Sequence, residues 1–181
     1  MVNFKGQEEA PFQLLVAVIL MTFVILVGLN AMNEAEKQKC FNDTEKQLND
    51  LKLGIEKTAV YRQPSGVNFN PSGCTKKESF VLIKSDEERL CKSLCLNSSR
   101  NCLLLRYSTP DLTGIQDKCI DVAYDTQFRS EGDGTGSCEK MEGYYGINVD
   151  SGQGFVPGVY QFLYSPNSGV VSPVICVYIK E

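Results

Sequence analysis

The sequence predicts an α+β protein: a long N-terminal hydrophobic α-helix followed by a β-rich, disulfide-stapled globular head. Three observations carry that prediction. An uncharged run of 18 residues, 12–29, stands near the amino terminus. The charged segment after it repeats apolar residues at helical spacing. Beyond Pro64 the chain turns to short β-type runs separated by Gly, Pro, Ser and Asn, and it carries seven of the eight cysteines.

Residues 12–29 read FQLLVAVILMTFVILVGL, with only Gln13 and Thr22 polar. As a helix this run spans about 27 Å, close to the thickness of a bilayer core. A cleaved secretory signal has a shorter apolar core with small residues after it, so the length favours a segment that stays on the protein. Pro11 lacks a backbone N–H and suits a first helical turn. The continuous helix is therefore expected to begin near Pro11, with residues 7–10 irregular or kinked.

Residues 33–62 hold six acids and six bases, with Gly54 as the one Gly and no Pro. Phe41, Leu48, Leu51, Ile55 and Ala59 recur at spacings of seven, three, four and four. That periodicity is one face of an α-helix. Pro64-Ser65-Gly66 ends it. One helix from about residue 11 to 61 would be roughly 75 Å long, apolar over 12–29 and amphipathic over 30–61.

The β-type runs in the head are SFVLIK (79–84), CLLLRYS (102–108), CIDVAY (119–124), VYQFLY (159–164) and VICVYIK (174–180). Ser165-Pro166-Asn167-Ser168-Gly169 reads as a hairpin loop between the last two. Ser85-Asp86-Glu87-Glu88 fits a capping box, with Ser85 at the N-cap, opening a short helix to about Leu96. A head of 118 residues, 64–181, buries only about two-thirds of its unfolded surface, so extra fastening is useful.

The cysteines are suited to that task. Cys40, Cys74, Cys91, Cys95, Cys102, Cys119, Cys138 and Cys176 all follow the apolar run and are even in number. This distribution predicts a disulfide framework in an oxidising exterior. A metal site would favour paired C-x2-C spacings, which the chain lacks. Cys91 and Cys95 share a helical face and are expected to pair elsewhere. Cys40 either staples the helix to the head or links neighbouring subunits. Two N-x-S/T sequons, at Asn42 and Asn97, are candidate glycosylation sites on an external domain.

Composition excludes several functions. The chain has no His, which removes Ser-His and Cys-His nucleophile pairs, His general bases and His-ligated zinc. A net charge of −4 supplies no basic stripe for nucleic acid. Gly132-Asp133-Gly134-Thr135-Gly136 lacks the strand-before, helix-after setting of a phosphate loop and reads as a loop. Glu131 with Asp133 offers few oxygens for a cation. Asp121, Asp125 and Glu131 read as surface charge. No catalytic residue and no cofactor is expected.

The leader is the most specific feature. Lys5-Gly6-Gln7 precedes the apolar run, whereas an ordinary secretory signal is cut on its far side. This arrangement resembles the class III signal peptide of archaeal type IV pilin-like proteins, cut between Gly and Gln by a prepilin peptidase. Many such pilins carry Glu at the fifth position after the cut. Here that position is Pro11, with carboxylates at Glu8 and Glu9. The resemblance implies a leader of residues 1–6, a mature helix over 7–63 and an extracellular head over 64–181. It implies processing at Lys5, Gly6 and Gln7, and a precursor held in the membrane before assembly. It also implies partners: the peptidase, the pilus assembly machinery and copies of the chain in a surface filament, with surface adhesion as a further role. The alternative is a monomeric membrane-anchored adhesin or envelope protein.

Overall fold

The computed structural model describes residues 9–71, 79–95, 100–108, 116–130, 138–149, 154–166 and 172–180. It contains a long apolar N-terminal helix and a sheet-rich head with disulfides. Helix α1 runs without interruption from Glu9–Tyr61. It starts two residues before Pro11, so Glu9 and Ala10 are helical rather than irregular; a proline in the first turn removes no helical hydrogen bond. Tyr61 is the last helical residue, and Arg62 follows in the left-handed region at φ 55°. The Arg62 guanidinium lies 5.1 Å from the centre of the Tyr164 ring, which offsets part of that strain.

The chain divides into two compact units between Asn42 and Asp43. The second unit begins with the C-terminal part of α1. Among the described residues eight strands follow: β1 (Ser65–Phe69), β2 (Ser79–Ser85), β3 (Cys102–Ser108), β4 (Gln116–Ile120), β5 (Gln127–Arg129), β6 (Tyr144–Gly146), β7 (Gly158–Ser165) and β8 (Val174–Lys180). One sheet has the order β1-β7-β8-β5, with β6 also on β8; the other is β2-β3-β4. All pairs are antiparallel except β5 with β8. The parallel pair sets Gln127 opposite Val174.

Three helical residues supply the floor of the core. Leu48, Leu51 and Ile55 are fully buried, and Ala59 packs beside them. They meet Val67 and Phe69 of β1, Tyr160 and Phe162 of β7, Val177 and Ile179 of β8, and Leu103 and Leu105 of β3 in one cluster. Phe69 joins the two sheets through an edge-on contact with Phe80 of β2, ring centres 4.9 Å apart. Tyr160 spans the core with its ring and ends on Val156, donating to that carbonyl at 2.7 Å and accepting its N–H at 2.9 Å. Burial pushes the Tyr160 hydroxyl up to about 12. Its neutral form therefore stabilises the fold fully below the ordinary tyrosine range, and that contribution is lost as pH rises toward 12.

Gly54 marks the closest approach of α1 to β1. A Cβ there would stand 2.4 Å from Val67 Cγ2. The Gly54 carbonyl accepts from Ser65 Oγ at 2.6 Å and faces Thr58 Oγ1 at 3.0 Å, and the two hydroxyls lie 2.8 Å apart. Gly54→Ala should raise helix propensity yet destabilise the head by about 1–3 kcal/mol, because overpacking a filled core outweighs the propensity gain. Denaturant unfolding measures this; a more stable Gly54→Ala protein would show that Val67 moves aside freely.

In the second sheet the central strand β3 is buried on both faces over residues 102–105. Leu103 and Leu105 face the main core, while Cys102 and Leu104 lie in a smaller cluster with Cys91 and Cys95. Helix α2 (Glu88–Leu94) has seven residues, too few to be stable alone. Disulfides Cys91–Cys102 and Cys95–Cys119 tie its middle and its C-cap to β3 and β4. Cys138–Cys176 fastens a loop to β8, where Tyr178 Oη also donates to the Glu139 carbonyl at 2.6 Å. Cys40, on α1, is disulfide-bonded too.

The structure corrects three local expectations. The capping box does not form: α2 starts at Glu88, its N-cap is Glu87, and no side chain caps it. Ser85 belongs to β2, opposite Cys102, and its Oγ accepts the Glu87 N–H at 3.3 Å instead. The strand expected at 119–124 is shifted to Gln116–Ile120. It stops there because the Asp121 N–H is taken by Glu56 Oε1 of α1 at 2.7 Å, and Val122 N–H turns back to Ile120 O. Strands β1, β5 and β6 were not anticipated. Two are only three residues long, and β1 contains the Ser65-Gly66 pair that reads as a turn.

Candidate functional site

The candidate site is the apolar part of α1, and its chemistry is that of a surface without partners. Every residue from 12 to 29 is exposed in the single chain. Phe12, Leu14, Met21, Phe23, Val24 and Leu26 are all more than 60% exposed. Soluble monomers rarely present so large a continuous apolar surface. This stretch is long and apolar enough to cross a membrane. Its one hydroxyl is already provided for: Thr22 Oγ1 lies 2.9 Å from the carbonyls of both Val18 and Ile19. Such internal pairing suits a helix whose surroundings offer no hydrogen bonds. Gly28 faces open space, with nothing within 4 Å of where a Cβ would be.

Farther along, the same helix bonds by side chain to the head. Lys118 of β4 reaches Glu45 Oε1 at 3.0 Å and Asn49 Oδ1 at 2.7 Å. Asn70 N–H is accepted by Gln47 Oε1 at 3.1 Å. On β3 and β4 the opposed pair Arg106 and Asp117 forms a two-pronged ion pair at 2.6 and 2.8 Å. That hydrogen bond raises the Arg106 guanidinium above its ordinary range, so it stays charged. The Lys118 and Asn70 contacts fix the second half of α1 within the head unit.

Lys5, Gly6 and Gln7 lie outside the described residues, as do Cys74, Asn97, Glu131 and the 132–136 loop. Asn42 is exposed on α1. Asp121 and Asp125 are exposed on the chain after β4. No group of three His, Cys, Asp or Glu side chains among the described residues is placed to hold a metal ion. Two open clefts of about 440 Å³ flank α1 at Leu53 and Lys57. On this outward side Leu53, Val60 and Tyr61 are exposed, a face the helical periodicity did not single out. The only signal available was apolar residues lying opposite the Leu48–Leu51–Ile55 stripe.

No family model, curated protein or solved structure matches the chain.

Proposed function

We propose that this chain is a structural subunit of an extracellular type IV pilus-like filament, assembling through its N-terminal hydrophobic helix after removal of a class III leader. The observation that carries the proposal is the continuity of α1. One helix bears 18 exposed, uncharged residues at one end and, at the other, the side chains that floor the head's core. A helix apolar on all sides belongs in lipid or in a protein interior. In this reading it occupies the membrane first and a filament core afterwards, packed on copies of itself. A head-to-tail contact that does not close generates an open helical array, with the heads outermost.

The test is the amino terminus of the protein purified from cells. Cleavage between Gly6 and Gln7 is expected, read by intact mass and by the terminal peptide. A mature chain that still begins at Met1, or that begins beyond Leu29, removes the pilin reading. The second reading is a monomeric anchored adhesin or envelope protein. It uses the same run as a membrane span, which its length of about 27 Å fits equally well. Particle size after detergent removal, with the assembly machinery present, separates the two.

A further inference from the structure

Helix α1 contains three threonines among its described side chains, and they differ in how their hydroxyls are satisfied. Thr22 and Thr58 return theirs toward carbonyls one turn earlier, Val18 and Gly54. This is the usual recourse of a threonine inside a helix. Thr44 does not. It is 2% exposed, and its Oγ1 has no hydrogen-bond partner among the described residues. A hydroxyl buried without a partner is unfavourable, and valine has the same shape without the penalty. Packing alone gives no reason for a threonine at this position.

The sequence supplies one. Thr44 is the third residue of Asn42-Asp43-Thr44. In an N-x-T acceptor the asparagine amide is modified and the hydroxyl two residues on is what the transferase reads. On a helix, residues two apart point about 200° from one another. Asn42 accordingly is exposed while Thr44 is buried. No enzyme can hold both side chains while this segment is helical and Thr44 is in the core.

We infer that Asn42 is an N-glycosylation site open only before α1 folds into the head, and that folding closes it. The Thr44 hydroxyl, without a partner among the described residues, is then a recognition group used on the unfolded chain. In the transfer, the Asn42 amide nitrogen bonds to the anomeric carbon of a lipid-linked oligosaccharide. The bond from that carbon to the phosphate oxygen breaks, the lipid phosphate leaves, and the amide proton passes to a base of the transferase. The added sugar is tolerated because Asn42 faces outward. This inference does not depend on filament assembly, since any exported form of the chain meets the same order of events.

The test has two arms, both read as Asn42 glycopeptide occupancy by mass spectrometry, resolved from Asn97. In the first, the full-length oxidised protein in detergent and the same chain reduced and alkylated are each given an oligosaccharyl transferase and a lipid-linked oligosaccharide. The alkylated chain is expected to be modified at least about ten-fold faster at Asn42, the helix withholding the site from the folded chain. Equal rates, or no modification of either form, overturn the inference. In the second arm, variants are purified from the cells that make the protein. Thr44→Val should lose the Asn42 glycan and yet melt about 2–4 °C higher, the shift expected in a chain of this size when one buried hydroxyl loses its desolvation penalty. Thr44→Ser should keep the glycan. A bare Asn42 in the wild-type protein, or a lower melting temperature for Thr44→Val, overturns the inference.

Discussion

A head that begins at Pro64 is expected to be unfolded, and one that begins at Asp43 to fold. Residue 64 is where the sequence texture changes, but the compact unit begins at Asp43. The difference is the stretch of α1 carrying Leu48, Leu51 and Ile55, all at 0% exposure. Truncating a buried Leu or Ile typically destabilises by about 2–5 kcal/mol. Removing all three, together with the Lys118 and Asp121 contacts to α1, forfeits about 6–15 kcal/mol on the same scale, which matches the entire stability of an ordinary domain. Circular dichroism and thermal unfolding of the two fragments decide it, both produced under oxidising conditions. A cooperative transition in the Pro64 fragment would mean that the sheets close their core without the helix. The single substitution Leu51→Asp in the full chain should act in the same direction, since it places an unpaired carboxylate in that core.

If the chain assembles as proposed, Val18→Glu should abolish filaments altogether. Val18 lies in the middle of the uncharged run and is exposed in the isolated chain. In a packed bundle of such helices it would enter a dry interior, where an unpaired charge is strongly unfavourable. The same charge weakens membrane residence, by about 2.5–3.5 kcal/mol for an acid at the centre of a span. Membrane fractionation must therefore accompany electron microscopy of the sheared surface fraction. Gly28→Leu separates the two effects. It adds an apolar side chain where the single chain has open space, so it keeps the run uncharged and apolar. A Gly28→Leu protein that remains in the membrane and forms no filaments implicates helix packing. Wild-type protein that forms no polymer, with its assembly machinery present, would favour the anchored ectodomain.

The long helix was legible because both of its signals are local. An uncharged run of 18 residues, and a stripe at spacings of three and four, are properties of the chain whatever surrounds it. Strands β3 and β8 were legible for the same reason: CLLLRYS and VICVYIK are unbroken runs of β-forming residues. The errors fell where a distant partner decides. Ser85 looks like a helix cap until β3 pairs with it through Cys102. The chain after Ile120 looks extended until Glu56, from α1, takes the Asp121 N–H.

By itself the sequence determined an apolar helix joined to an amphipathic one, a β-rich remainder and an even set of cysteines, since periodicity and composition act through near neighbours. Only the tertiary structure decided which cysteines meet, because pairing depends on strand register: Cys119 stands opposite Leu104, within reach of Cys95. Only the tertiary structure drew the edge of the head at Asp43, since burial of Leu48, Leu51 and Ile55 arises when two sheets close over them. And only the tertiary structure distinguished Thr44 from Thr58, which is equally buried but hydrogen-bonded, because whether a hydroxyl finds a partner among the described residues is a property of its surroundings and not of its place in the chain.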